Sequence, residues 1–210
     1  MEHLKQFHSV DCRTKKGLIT VMGPISFDQL KQYDFDKGLT SFRKPQEQYQ
    51  AVLEISQLPE GRIVAAIYDN TIVGYATFLY PDPLERWAEG DIENLLELGA
   101  IEVSNQFRGL SLGAKLLQTA MMDANMEDYI VMTTEYYWHW DLKNSGMDAW
   151  QYRSMMEKMM ACGGLIWFAT DDEEISSNPV NCLMVRIGKN VDMATREQFD
   201  KLRFQYRFMY

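Results

Sequence analysis

The sequence predicts an α/β domain on a mixed, mostly antiparallel sheet with a central parallel strand pair flanked by helices. Three observations carry this. The apolar run 98–103 leads into a turn of small residues, then into apolar positions at 112, 116, 117, 120, 121 and 124. The run reads as a buried strand and the later spacing as one face of a helix. A second apolar run, Tyr129-Ile130-Val131-Met132-Thr133, follows. Strand, helix, strand at this separation requires a right-handed crossover and hence parallel strands. Finally, Arg62 to Tyr68 and Thr71 to Tyr80 flank Asp69-Asn70, a hairpin signal that calls for antiparallel pairing.

The elements follow in order. Leu18 to Met22 reads as the first strand, ended by Gly23-Pro24, and the segment before it, with His3 and His8, reads as mobile. Ser26 can cap a short helix through Tyr33. Pro45 can open another to about Gln57. After the hairpin, Pro81-Asp82-Pro83 breaks the chain, and Leu84 to Leu96 has helical spacing. The strand 98–103, the helix 112–126 and the strand 129–133 come next. Asp148 to Ala161 reads as a helix stopped by Gly163-Gly164. Leu165 to Ala169 and Cys182 to Ile187 read as the last strands, joined by the acidic Asp171-Asp172-Glu173-Glu174. Thr195 to Tyr206 reads as a C-terminal helix. One domain over 1–190 and a helical tail over 191–210 are expected.

A hydrophobic share of 46% and a charged share of 24% suit a folded globular chain. The net charge of −9 argues against nucleic acid, whose phosphates need a basic face. It suits a cationic acceptor, an amine or a lysine-bearing surface. Three cysteines without CxxC spacing give no disulfide framework and fit a reducing cytoplasm. The first residues lack a signal-peptide core, and no apolar run nears the ~20 residues of a membrane span. A cytoplasmic protein without a membrane partner is the expectation. No metal-ligand spacing occurs. Met155, Met156, Met159 and Met160 form a stripe at helical spacing, best read as core filler. Cys162 has no base near it in sequence.

The strongest chemical signal is the turn Arg108-Gly109-Leu110-Ser111-Leu112-Gly113-Ala114. A turn feeding a helix start exposes amide groups and the positive end of the helix dipole, which suits phosphate. Small residues let backbone approach the ligand, and Arg108 adds a cation. The bland alternative is an ordinary strand-to-helix turn. With the preceding Ile101-Glu102-Val103, the loop resembles the coenzyme A loop of the GNAT acetyltransferases. The element order from about residue 18 to 188 resembles theirs as well. Ser111 stands where the family has a middle Gly, and the helix at 84–96 looks like an insertion.

That resemblance implies a GNAT fold and acetyl-CoA as cosubstrate. Arg108 to Ala114 would hold the pyrophosphate, and backbone along Ile101 to Val103 would align the pantetheine. Glu102 would be the general base that takes the proton of the attacking amine. Ile101 and Val103 would face the other way from it. A salt bridge to Arg or Lys is the alternative for Glu102, and Glu97 and Glu135 are rival bases. A Tyr after the strand 129–133 often protonates the leaving thiolate in this family. Tyr136, Tyr137 or His139 could do so here, or the aromatic block could simply wall a pocket.

The strings Tyr80-Pro81-Asp82-Pro83-Leu84-Glu85-Arg86-Trp87, Glu97 to Val103, Val131 to Leu142 and Arg186 to Val191 carry a closer resemblance. They are similar to the bacterial acetoin-utilisation protein acetyltransferases over nearly the whole chain. That family is implied to acetylate a lysine of acetyl-CoA synthetase and so switch it off. In such folds the last hairpin borders the acceptor, so the acidic 171–174 would attract a lysine. Residue patterns alone leave two rivals open: acetylation of a small polyamine-like amine, and a non-catalytic acyl-CoA-sensing module.

Overall fold

A computed structural model describes residues 2–206; positions 207–210 of the expected tail lie outside them. The elements in chain order are β1 (His8–Thr14), β2 (Gly17–Gly23), α1 (Phe27–Leu30), β3 (Asp34–Phe35), α2 (Pro45–Gln57), β4 (Arg62–Tyr68), β5 (Thr71–Leu79) and β6 (Leu95–Val103). Then come α3 (Leu112–Ala120), β7 (Ile130–Glu135), α4 (Leu142–Ser145), α5 (Ala149–Ala161), β8 (Ile166–Phe168), α6 (Glu173–Ser176), β9 (Cys182–Ile187) and α7 (Met193–Arg203). Two compact units form. The first joins Glu2–Leu79 to Leu98–Met126; the second joins Tyr80–Glu97 to the chain from Glu127 on. The division falls inside β6.

In the first unit the strand order is β1-β2-β4-β5-β6, with β3 beside β5. Asp69 and Asn70 both adopt positive φ, 45° and 58°, as a two-residue hairpin with matching twist demands. Pro45 begins α2, whose Val52 and Leu53 pack with Leu30, Leu39, Ile63, Ile72 and Tyr75 in one core. Leu112, Leu116, Leu117 and Ala120 make the buried face of α3, which lies on β2, β4 and β5. Two expectations fail here. The N-terminal segment is fastened, not loose. Arg62 and Asp123, 2% and 1% exposed, stand 3.8 Å apart. Arg62 donates to the Leu4 carbonyl (2.7 Å), and Asp123 accepts the Gln6 amide (3.1 Å). His8 then starts β1, antiparallel to β2. The helix 112–126 also stops early, at Ala120, where Asp123 is drawn to Arg62 and a 3₁₀ turn follows.

In the second unit the order is β6-β7-β9-β8. The parallel pair is β6 with β7, Leu95 opposite Ile130 and Glu97 opposite Met132. β9 runs antiparallel to both β7 and β8. Asp148 caps α5 with Gln151 in a reciprocal box, and Met156 and Met160 of the Met stripe are buried. The expected helix at 84–96 is absent. Only a 3₁₀ turn, Arg86–Ala88, forms, and β6 starts at Leu95. The physical reason is visible in the packing. Trp87, Ile92 and Leu95 all enter the same core, and Leu95 does so as the first residue of β6, paired with Ile130. Asp91, at φ 45°, also breaks any helix there. Two of the four acids at 171–174 are engaged within the fold, while Glu173 and Glu174 are exposed. Arg86 bonds Asp171 (2.8 Å) and Asp172 (3.5 Å), and Asp172 caps α6 through the Ile175 amide. Phe199 and Leu202 of α7 complete this core.

Candidate active site

In the first unit, β6 ends at Val103, and the chain turns under control of two buried residues. The Ser104 amide donates to the Val73 carbonyl (2.9 Å), and Phe107 is buried against Tyr68 with ring centroids 5.3 Å apart. These anchors present the stretch that follows. Arg108 is extended and exposed. Gly109 takes φ +75°, with nothing within 4 Å of a built Cβ. Glycine is therefore wanted there for its backbone, not for room.

Ser111 adopts φ 59°, ψ 23°, the left-handed region, without being glycine. Such strain costs of order 1 kcal/mol and tends to persist at ligand sites. Its hydroxyl makes no cap bond to α3, and the first turn carries no acid. The amides of Leu112, Gly113 and Ala114 thus begin the helix without a bond to the cap hydroxyl. A positive helix end prepared in this way suits a pyrophosphate. Leu110 and Ala114 are partly buried, while Leu112 and Gly113 are buried.

Glu102 lies in the same unit, 5% exposed. Its Oε1 accepts the Ser41 amide (2.7 Å) and its Oε2 the Tyr75 hydroxyl (2.9 Å). The carboxylate is thus held by two neutral donors, where a lysine or arginine partner was the sequence alternative. Sequence reading missed both donors. Tyr75 looks like one more core aromatic in 71–79, and no local signal ties Ser41 to a residue 61 positions away. Ile101 and Val103, on either side, are partly buried.

The second unit holds the other candidates. Glu97 on β6 is pushed up to about 7, first by burial and then by the charges of Glu85 and Asp82. Glu135, at the end of β7, also reaches about 7 through burial, against the pull of a Trp140 indole bond (3.2 Å). Burial holds the Tyr136 hydroxyl well above the usual tyrosine range; a bond to Thr134 opposes this and nearby carboxylates add to it. Tyr136 stacks on Trp138 (4.8 Å, 13°) and meets His139 edge-on (5.9 Å). Tyr137, Trp138 and His139 are exposed. The structure thus brings the loop 108–114, Glu102, Ile101 and Val103 into one unit. It brings Glu97, Glu135, Tyr136 and His139 into the other.

Comparison with known proteins agrees with this architecture. The model of the Acetyltransferase (GNAT) family matches residues 30–137. Acetoin utilization protein AcuA of Bacillus licheniformis is 60% identical over 210 residues, the whole of both chains. That of Bacillus subtilis is 59% identical over the same span. The crystal structure of the acetoin utilization protein from Exiguobacterium sibiricum superposes with a TM-score of 0.96 at 54% identity, covering 99% of this chain and 98% of that one. The GNAT domain of S. lividans PAT, at 12% identity and a TM-score of 0.52, covering 85% of this chain and 96% of that one, shares the fold. The chain belongs to the AcuA family of GNAT acetyltransferases, N-acyltransferases that depend on acetyl-CoA.

Proposed function

We propose that this acetyltransferase modifies the ε-amine of a protein lysine, with acetyl-CoA synthetase as its substrate and loss of that enzyme's activity as the result. The named substrate rests on the resemblance to acetoin-utilisation acetyltransferases. The observation that carries the amine reading is Glu97, a carboxyl lifted to about 7 among Asp82 and Glu85. A cationic amine is drawn to such surroundings, and a base poised near neutrality takes its proton efficiently. Arg108 to Ala114 hold the pyrophosphate and the backbone of Ile101 to Val103 aligns the pantetheine. The freed nitrogen attacks the thioester carbonyl, the C–S bond breaks, and the coenzyme A thiolate takes a proton. Tyr136, kept protonated by burial, supplies that proton, with His139 the alternative donor.

A second reading keeps Glu102 as the base. Each of its oxygens accepts one hydrogen bond and retains a lone pair. Its double engagement favours Glu97 instead.

Labelled acetyl-CoA mixed with purified acetyl-CoA synthetase tests the reading. One acetylated lysine and a matching loss of synthetase activity are expected. Label appearing only in small amines, or binding without transfer, would overturn it.

A further inference from the structure

Glu102 belongs to a buried polar network that the transfer chemistry leaves unused. Besides the Ser41 amide and the Tyr75 hydroxyl, the network continues two residues along the chain. The Ser104 hydroxyl donates to Asp36 Oδ1 (2.8 Å), which also accepts the Gly38 amide (2.7 Å). A Cβ on Gly38 would lie 2.5 Å from the Ser104 Oγ and 2.9 Å from that same Asp36 oxygen, so a side chain there would push the Ser104–Asp36 bond aside. Tyr75 is 0% exposed and sits in the core beside Phe35.

The segment 36–44 is thereby tied to β6 at Glu102 and just past it at Ser104. These two residues flank Val103. The segment itself forms neither helix nor strand. Leu39 is buried, and 40–44 are exposed. An irregular, solvated segment is thus tied by two side-chain bonds to the strand end that runs into the loop 104–111.

We propose that Glu102 is a positioning residue. It latches loop 36–44 to the strand end that receives acetyl-CoA, and Tyr75 fixes its second oxygen. Ligand seated along Ile101–Val103 is then felt in loop 36–44, and slack in that loop loosens the ligand's seat. The inference rests on the assignment of acetyl-CoA to this strand and of the proton to Glu97.

The network separates a latch from a base by chemistry alone. In Glu102→Gln the amide oxygen accepts the Ser41 N–H, and the amide NH₂ donates to the Tyr75 oxygen, because a hydroxyl both donates and accepts. The variant therefore keeps the latch and loses only basicity. Glu102→Ala keeps neither bond. Tyr75→Phe keeps the Ser41 bond only.

The test measures kcat and KM, calorimetric acetyl-CoA affinity, and amide exchange over 37–44. Glu102→Gln is expected to hold acetyl-CoA affinity and exchange near wild type. Glu102→Ala is expected to raise KM for acetyl-CoA roughly ten-fold, with faster exchange over 37–44 and a smaller loss of kcat. Tyr75→Phe should fall between, and it serves alone if the alanine variant does not fold. A Glu102→Gln variant that loses about 10²-fold or more in kcat at unchanged acetyl-CoA affinity overturns the proposal and makes Glu102 a base. Unchanged exchange and affinity in Glu102→Ala, or in Tyr75→Phe should that be the only folded variant, also overturn it. Affinity and exchange need no acceptor, so a wrong acceptor would fail in transfer while leaving these two readouts standing.

Discussion

The two ends of β6 treat a glutamate in opposite ways. Glu102, toward the C-terminal end, is given donors: a main-chain amide and a tyrosine hydroxyl, one on each oxygen. Glu97, toward the N-terminal end, is given burial and neighbours of its own charge. Donors secure a carboxylate in place. Burial and like charges make it hold a proton longer. One residue type on one strand is thus suited to fastening or to proton transfer according to what surrounds it.

The largest effect is expected from Glu97→Gln. It should lower kcat by ~10²–10⁴-fold, the usual weight of general base catalysis, with acetyl-CoA affinity nearly unchanged. Wild-type kcat/KM should rise with pH through about 7, as Glu97 ionises. A near-normal rate in the variant would return the proton to Glu102 or Glu135.

Gly113→Asp probes the C-terminal end from the ligand side. It sets a negative charge at the start of α3, where pyrophosphate is expected, and should weaken acetyl-CoA binding by at least about ten-fold. Calorimetry decides, with circular dichroism to show the fold intact. Unchanged affinity would remove the loop from the site.

Glu135 sharpens the comparison, because burial raises it without a neighbouring carboxylate among the causes. The folded protein holds this proton to about pH 7, while an unfolded chain releases it near 4.5. The unfolded state therefore gains from ionisation first. Stability should fall as pH rises from 4.5 to 7, by at most about 3 kcal/mol, and then level off. Glu135→Gln should match wild type at pH 4 and exceed it in denaturant midpoint at pH 8. Equal midpoints at both pH values would mean that the carboxyl is not desolvated.

The smallest effect concerns the acidic surroundings of the second unit. Asp171 and Asp172 bind Arg86, and Asp172 also caps α6. Neutralising them would test folding more than docking. Glu173 and Glu174 are exposed. Glu173→Gln with Glu174→Gln should slow acetylation of a basic protein surface by about two- to three-fold at low salt, and the deficit should close as salt rises. A salt-independent deficit would point to a contact effect.

Much of the scaffold was legible because local chemistry agreed with the fold. Pro45 starts α2, Asp69-Asn70 turns the hairpin, and Asp148 caps α5, each as its residue type prescribes. The misses came where distant partners decided. Nothing local says that Trp87 and Ile92 share a core with Phe199, so helical spacing at 84–96 misled. The alternating exposure of β1 is set by pairing with β2. The small residues of 108–114 were readable as a turn into a helix, and α3 does begin there at Leu112. Glu102 was readable as a residue needing an explanation, since a carboxylate inside an apolar strand must find partners. Its partners were not, since Ser41 and Tyr75 reach it across long stretches of chain.

The Arg62–Asp123 pair gives residues 4–6 a weight that their sequence does not announce. Leu4 and Gln6 hydrogen-bond two charges that are almost sealed from water. Trimming those residues would remove an acceptor from one buried ion and a donor from the other, a loss of the kind that costs several kcal/mol when a charge pair is left short of partners. The segment Leu4–Gln6 therefore acts as a plug, and a deletion into it should open the interior.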